Sequence, residues 1–178
     1  ILTDSGARGA VVSTRRLAEK LLPATQKASG LEFVIAMEPP ALAQDIGIAI
    51  HGWDEALAVE DDDVADIAAE AGKIARTDTA CIIYTSGTGG LPKGVMLSHG
   101  AVLSNCQGAR AVLNSLDLKD EVFLSFLPLS HSYEHTAGQF LPMAIGAEIY
   151  YAEGADKLSA NMAEVHPTIM TAVPRLYE

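Results

Sequence analysis

One glycine-rich stretch, residues 84–94, constrains the fold more than any other part of this sequence. It reads Tyr-Thr-Ser-Gly-Thr-Gly-Gly-Leu-Pro-Lys-Gly. The apolar run 80–84 leads into it, and a second short apolar run, 95–97, leaves it. Short apolar runs of this kind, bounded by glycine-rich segments, are typical of buried strands. The sequence therefore predicts two strands joined by a glycine-rich loop.

The loop contains the chemical groups that bind anionic oxygens. Its glycines allow backbone N–H groups to turn inward and approach a ligand closely, and hydroxyls and one ammonium group accompany them. Such groups together form a nest for phosphate oxygens. A plain turn would need neither the hydroxyls nor the lysine, so we interpret the loop as a polyphosphate-binding site. It is not a Walker loop, because Lys93 is followed by Gly94 and an apolar run, not by Ser or Thr opening a helix.

The rest of the chain alternates predicted strands with predicted helices. Residues 10–13 and 31–37 read as strands around a helix that Thr14 caps and Pro23 disturbs, which is one βαβ unit with a parallel strand pair. Further strands are predicted at 122–127, 147–151 and 168–171, and further helices at 52–58, 64–71, 98–113, 136–145 and 158–165. The sequence thus predicts an α/β fold, a mostly parallel sheet with flanking helices and the strand 80–84 at its centre.

Composition narrows the classes of partner and compartment. The 178-residue chain carries a net charge of −11, which argues against nucleic acid or an anionic membrane as the main partner. No apolar run is long enough to span a bilayer, so we expect at most peripheral membrane association. Cys81 and Cys106 lie in apolar contexts without metal-ligand spacing and are interpreted as buried free thiols of a reducing compartment, the cytoplasm. The acidic run 60–63 could hold a metal, but a solvated helix start is the better interpretation.

A polar and aromatic cluster follows the apolar run 122–127. Residues 128–135 read Pro-Leu-Ser-His-Ser-Tyr-Glu-His. In open parallel sheets, ligands bind beyond the carboxyl ends of the strands, so we expect this cluster to contribute to a binding site. His131 is the candidate functional histidine, with a satisfied structural histidine as the alternative. The structural interpretation is preferred for the other histidines, which are His51, His99, His135 and His166.

These two segments resemble the adenylate-forming superfamily of acyl-CoA synthetases, luciferases and peptide-synthetase adenylation domains. The superfamily's phosphate loop runs Ser/Thr, Ser/Thr/Gly, Gly, Thr, Thr, Gly, any residue, Pro, Lys, Gly, and residues 85–94 depart from it only at Gly89, where the family has Thr. Residues 127–134 are similar to the Leu-Pro-Leu-x-His segment of long-chain acyl-CoA synthetases with its following aromatic residue and Glu. Residues 173–178 resemble the Val-Pro-Arg-hydrophobic-aromatic-Glu segment of the same subgroup.

The resemblance implies a reaction and a set of site residues. Members of the superfamily activate a carboxylate with Mg·ATP as an acyl adenylate, and the thiol of CoA then displaces AMP. By resemblance, Thr85 helps to bind Mg²⁺ together with a Glu that these residues do not include. The implied ATP-phosphate site comprises Thr85, Ser86, Gly87, Thr88, Gly89, Gly90 and Lys93. The implied border of the acyl carboxylate comprises His131, Tyr133 and Glu134, and the implied catalytic residues are Lys93 and His131.

Several family segments are missing from these 178 residues. The Tyr-Gly-x-Thr-Glu and Thr-Gly-Asp segments and the C-terminal domain with its lysine are not present. We therefore expect residues 1–178 to be one partial domain, cut from the N-terminal domain of a long-chain fatty acid–CoA ligase and inactive alone. Truncation should expose apolar surface and favour self-association.

Two alternatives stay open, and the sequence does not indicate the acyl chain length. The first is another adenylate-forming enzyme, either an aryl- or medium-chain-CoA ligase or an adenylation domain. The second is a phosphate-binding domain without chemistry. A serine hydrolase is disfavoured, because Ser86 and Ser130 lack the Gly-x-Ser-x-Gly elbow.

Overall fold

Two three-stranded parallel sheets form the centres of two compact units in the computed structural model. The structure describes residues 1–40, 47–59, 66–87, 90–116 and 120–174. The first unit comprises residues 1–73 and 86–94, and the second comprises residues 74–85 and 95–178. The predicted acidic run 60–63 lies outside the described residues.

The sheet of the first unit has the order β1 (Gly9–Val12), β2 (Phe33–Ala36) and β3 (Ala49–Gly52), all parallel. Helix α2 (Arg15–Thr25) connects β1 to β2, so the predicted βαβ unit is confirmed. The hydroxyl of Thr14 accepts a hydrogen bond from the Leu17 N–H at 3.3 Å and caps this helix, as predicted. The short helices of this unit are α1 (Leu2–Ser5), α3 (Trp53–Leu57) and α4 (Ile67–Ala71).

Two features of the first unit differ from the sequence interpretation. Pro23 lies inside α2 and does not break it, since the helix continues for two more residues to Thr25. Strand β3 was not predicted, since its four residues combine Ala, Ile, His and Gly without strand periodicity. Its pairing with β2 defines it, with Ile50 opposite Val34. Val34 is fully buried in a core with Ala28 and Leu31.

The sheet of the second unit places β6 (Val122–Ser125) between β7 (Glu148–Tyr151) and β8 (Ile169–Met170), again in parallel. The neighbouring residues Phe123 and Leu124 are each only 1% exposed. Because successive side chains of a strand point to opposite faces, β6 is buried on both faces. The continuous apolar run had predicted this environment.

Helix α5 (His99–Leu113) provides the main helical face of the second unit. The Ser98 hydroxyl accepts a hydrogen bond from the Ala101 N–H at 3.2 Å, so the predicted cap is confirmed. The predicted apolar face packs with α7 (Leu141–Ile145), in a cluster that includes Val102, Cys106, Ala109, Leu113 and Leu141. A 3₁₀ turn (Asn114–Leu116) follows α5, and α6 (Ser132–Glu134) and a π-helix (His135–Phe140) precede α7.

Helix α8 (Leu158–Val165) buries a polar residue where an apolar one was expected. Leu158 is buried as predicted, but Met162 is 41% exposed. Asn161 is buried instead, and its amide forms hydrogen bonds with the Glu153 backbone N–H and carboxylate, each at 3.1 Å. The amide is satisfied inside the unit by these bonds, which explains why a polar residue occupies this position.

The strand predicted at 80–84 is present as part of β4 (Thr79–Ser86), but its position in a sheet differs from the prediction. Within the described residues, β4 pairs with β5 (Pro92–Ser98) in a two-stranded ribbon and does not form the centre of a parallel sheet. Only five residues separate the two strands, which is a length typical of a hairpin connection. A parallel partner needs a crossover of about a dozen residues or more.

Large apolar side chains are exposed on both units. Leu91, just before β5, is 78% exposed, Met96 on β5 is 66% exposed, and Val11 on β1 is 58% exposed. Self-association through such surface stays a prediction. In the part of the chain that the structure describes, no helix has the length and apolar character to cross a membrane.

Candidate functional site

The phosphate-loop residues begin inside strand β4 and turn sharply. Thr85 and Ser86 are the last two residues of β4, and both side chains are exposed. The Gly90 N–H donates a hydrogen bond to the Gly87 carbonyl at 3.0 Å, which closes a four-residue turn. Gly90 has φ +79°, a conformation that favours glycine. Thr88 and Gly89 lie outside the described residues.

Lys93 crosses the base of this turn next to Gly87. A Cβ on Gly87 would lie 2.6 Å from the Leu91 carbonyl oxygen and 3.2 Å from both Cγ and Cε of Lys93. The missing side chain at Gly87 therefore makes room for the lysine stem. Lys93 is exposed and forms no ion pair with any residue that the structure describes. Its ammonium group is therefore available to an anionic ligand.

The second cluster lies at the carboxyl end of β6, in the second unit. His131 precedes α6, and its Nδ1 accepts a hydrogen bond from the Tyr133 N–H at 3.3 Å. An accepting Nδ1 places the ring proton on Nε2, because a neutral imidazole has one donor and one acceptor. His131 is exposed. The imidazole therefore presents an N–H donor outward.

Glu134 differs from the expectation of a substrate-facing side chain. It is fully buried, and its Oε1 accepts a hydrogen bond from the Ser125 hydroxyl at 2.6 Å. Its Oε2 accepts a hydrogen bond from the Thr171 hydroxyl. Because both oxygens bind partners within the protein, the carboxyl group joins the end of β6 to the segment after β8. It lies beneath the cluster and presents no atom at the surface.

A largely apolar groove of about 370 Å³ lies beside Tyr133. Its walls come from α5, the segment before it and the helical segment after His131. The lining side chains include Leu97, Asn105, Ala109, Tyr133, Ala137 and Leu141. The sequence interpretation missed this groove. The facing small residues Ala109 and Ala137 were its only sequence signal, and they are equally typical of ordinary helix packing.

The predicted metal site cannot be built from these residues alone. Thr85 would supply one hydroxyl oxygen, whereas Mg²⁺ prefers six oxygen ligands that usually include a carboxylate. Across the described residues, no group of three or more His, Cys, Asp or Glu side chains is arranged to hold a metal ion. The described residues thus fit Mg²⁺ only as a partial ligand set.

Sequence reasoning also missed a contact between two side chains that it had assigned to packing. The Cys81 Sγ on β4 lies 3.5 Å from the His135 Nε2 at the start of the π-helix. Cys81 and Cys106 are both free thiols, as predicted, but only Cys106 is fully buried. Burial raises the pKa of the Cys106 thiol.

Similarity to known proteins identifies the family of this chain. The family model described as AMP-binding enzyme matches residues 1–178. Long chain acyl-CoA synthetase 4 from Arabidopsis thaliana is 34% identical over 149 residues, which are 81% of this chain and 22% of that protein. The chain therefore spans about a fifth of this curated relative.

Two solved structures share the fold. The long-chain-fatty-acid-CoA ligase FadD1 from Archaeoglobus fulgidus matches with a TM-score of 0.68 and 25% identity, over 98% of this chain and 32% of that one. The o-succinylbenzoate coenzyme A synthetase MenE from Bacillus subtilis, in complex with ATP and magnesium ion, matches with a TM-score of 0.63 and 19% identity, over 94% of this chain and 34% of that one. The predicted α/β class and the resemblance to the adenylate-forming superfamily are thereby confirmed. This chain belongs to the AMP-binding enzyme family, and it is similar to a segment of long-chain acyl-CoA synthetases.

Proposed function

We propose that this chain is part of the N-terminal domain of an AMP-forming long-chain fatty acid–CoA ligase. The parent enzyme would activate a carboxylate with ATP as an acyl adenylate and transfer the acyl group to CoA. One observation carries the proposal: Lys93 lies across a tight glycine turn whose neighbours are hydroxyls, in a chain that matches the family over its whole length. The two free thiols support a reducing compartment such as the cytoplasm.

The loop would act on the phosphates through charge and position. In phosphoryl and nucleotidyl transfer, most of the rate enhancement comes from neutralising developing charge and from alignment. The hydroxyls of Ser86 and Thr88 would donate hydrogen bonds to the β- and γ-phosphate oxygens. The Lys93 ammonium would stabilise the departing pyrophosphate. Gly87, Gly89 and Gly90 would let the backbone approach the phosphates. Bound Mg²⁺ would supply further neutralising charge, with Thr85 as one of its ligands.

The second cluster would bind the carboxylic acid. The outward Nε2–H of His131 would donate to a carboxylate oxygen and orient it. Tyr133 borders the apolar groove, whose volume of about 370 Å³ falls within the range of small-molecule pockets. The groove would take the proximal part of an acyl chain. Glu134 would act from beneath, holding α6 so that His131 and Tyr133 keep their orientation.

Pyrophosphate–ATP exchange tests the proposal directly. The full-length parent should exchange labelled pyrophosphate into ATP when given a fatty acid, whereas the 178-residue chain should not. Lys93→Ala should slow the exchange about a hundredfold, on the order of 3 kcal/mol. Lys20→Ala, which removes an equally exposed charge from α2, is the matched control and should leave the rate unchanged.

The same assay distinguishes the alternatives. Exchange with aromatic acids, medium-chain acids or amino acids instead of fatty acids would identify another adenylate-forming enzyme. If no carboxylic acid supports exchange but ATP still binds, the chain would belong to a phosphate-binding domain without chemistry. Robust exchange by the 178-residue chain alone would contradict the proposal that residues outside this chain are needed for activity.

A further inference from the structure

A thiol and an imidazole meet in the second unit, outside the residues assigned to phosphate or acyl binding. The Cys81 Sγ and the His135 Nε2 are 3.5 Å apart, a distance at which the thiol can hydrogen-bond to the ring nitrogen. Cys81 is partly exposed, unlike the fully buried Cys106. The pair joins strand β4 to the first residue of the π-helix.

Packing fixes both members of the pair. On β4, Cys81 shares one face with Ile83, because side chains of a strand alternate. Ile83 is buried, so this face is directed into the unit. The His135 ring packs edge-on against Phe140, with 4.9 Å between ring centroids, and the His135 N–H donates to the His131 carbonyl at 2.9 Å. The contact thus belongs to the packed structure and does not depend on two free surface rotamers.

The other cysteine shows the opposite environment within the same unit. Cys106 is buried in an apolar cluster with Val102 and Leu141. A thiol in such surroundings is inert, because the thiolate is the reactive form and a dry apolar site disfavours it. The chain therefore contains a thiol beside a base and a thiol without one. This difference makes Cys106 an internal reference for the reactivity of Cys81.

We propose that the Cys81–His135 pair is a site of thiol modification that reacts with hydroperoxides, with His135 as the base that accepts the thiol proton. The proton passes from sulfur to Nε2, and the sulfur attacks one peroxide oxygen. An S–O bond forms as the O–O bond breaks, and the leaving hydroxide or alkoxide takes the proton back as water or an alcohol. Sulfur loses two electrons and the peroxide gains two, so the product is a sulfenic acid.

The modification would also change the contact between the two elements. A sulfenic acid adds an oxygen to the sulfur at a point where the ring nitrogen is only 3.5 Å away. The added oxygen would therefore alter the contact between Cys81 and His135. Cys81 lies four residues before Thr85 on the same strand. The altered contact would therefore lie on the same strand as a residue assigned to the phosphate loop.

The test measures the reaction rates of the two thiols in the full-length protein at neutral pH. Hydrogen peroxide with a carbon nucleophile that traps sulfenic acid reports oxidation, iodoacetamide reports alkylation, and peptide mass mapping separates Cys81 from Cys106. The variants are His135→Ala and His135→Gln. His51→Gln, at a partly exposed histidine on the first unit, is the matched control.

Losing the base should lower the reaction rate of Cys81, whereas opening space around the sulfur should raise it. The direction of the rate change therefore distinguishes the two effects. Replacing the ring by alanine opens space at the sulfur, so access alone would accelerate both reactions. If His135 accepts the proton, both variants slow Cys81 about tenfold or more with both reagents. Added imidazole should restore part of the rate in His135→Ala. The control variant should leave the Cys81 rate unchanged, and Cys106 should stay slow throughout.

Several outcomes would overturn the proposal. An unchanged or faster Cys81 in both His135 variants would remove the base from the mechanism. Equal reaction rates for Cys81 and Cys106 in the protein without substitutions would by themselves contradict the selective reactivity of Cys81. If His135→Ala fails to fold, Cys106 becomes reactive and reveals it, and His135→Gln then decides the question.

Discussion

The carboxyl group of Glu134 packs directly against the backbone of Gly138. A Cβ at Gly138 would lie 2.2 Å from Oε1 and 2.5 Å from the carboxyl carbon, distances that real side chains do not adopt. The two residues face each other across the junction of α6 and the π-helix. The carboxyl group occupies space that any other residue at 138 would need.

This relationship predicts a large effect from one methyl group. Gly138→Ala should displace the carboxyl group and disrupt its bonds to Ser125 and Thr171, at a cost of about 2–4 kcal/mol in the free energy of unfolding. Gly108→Ala is the matched control, since Gly108 lies inside α5 with open space around it and should gain about 0.5–1 kcal/mol. Urea denaturation measures both variants. Equal effects on the two midpoints would contradict the packing of Glu134 against Gly138.

A second glycine controls the placement of Lys93. Gly87→Ala in the full-length enzyme should push the lysine stem or the Leu91 carbonyl away from the turn, because the added Cβ approaches them within 2.6–3.2 Å. We expect pyrophosphate exchange to fall about tenfold or more through misplacement of the ammonium group. Gly30→Ala, where nothing lies within 4 Å of the new Cβ, should be silent. An active Gly87→Ala enzyme would show that the loop tolerates displacement.

His131 offers a substitution that separates folding from binding. Asparagine is a favoured helix N-cap, so His131→Asn should preserve the start of α6 while removing the outward Nε2–H. The KM for the carboxylic acid should rise about tenfold in the full-length enzyme, a typical loss for a hydrogen bond to a charged group. The KM for ATP should stay unchanged. An equal rise in both constants would indicate a structural role for His131 instead of a contact with the acid.

The first unit contains an exposed carboxylate whose pKa can be tested. The hydrogen bond from His51 and the backbone N–H of Gly52 lower the pKa of Glu55 below its ordinary value. The ionised Glu55 therefore stabilises the folded state at pH values above its unfolded-state pKa of about 4.3. This contribution is lost as the pH falls through the lower pKa that Glu55 has in the folded state. NMR titration of His51→Gln should show the Glu55 pKa moving back up toward its ordinary value. The pKa of Glu32, lowered by Arg8, should not change.

Local signals predicted the elements whose residues act within their own segment. Thr14 and Ser98 each precede an apolar helical pattern, and both cap a helix. Phe123 and Leu124 belong to an uninterrupted apolar run, which by itself indicates a strand buried on both faces. These predictions needed no knowledge of distant partners, and the structure confirms them.

The predictions that differ from the structure depend on partners far along the chain. The inward direction of Glu134 depends on hydroxyls at Ser125 and Thr171, and no pattern around residue 134 reveals them. The strand at 49–52 is defined by its pairing with β2 and not by its composition. The contact between Cys81 and His135 joins residues 54 positions apart, so neither residue suggested the other.

The bonds of Glu134 also set an order of events during synthesis. Its first partner, Ser125, lies nine residues earlier, whereas its second, Thr171, lies 37 residues later. At ribosomal rates of about 5–20 residues per second, the second hydroxyl is made roughly 2–7 s after the carboxyl group. Until then one oxygen must stay in water, because burying it without a partner is unfavourable. The nascent second unit therefore completes its interior only after translation has passed residue 171, and a ribosome stalled before that point holds an incompletely packed chain.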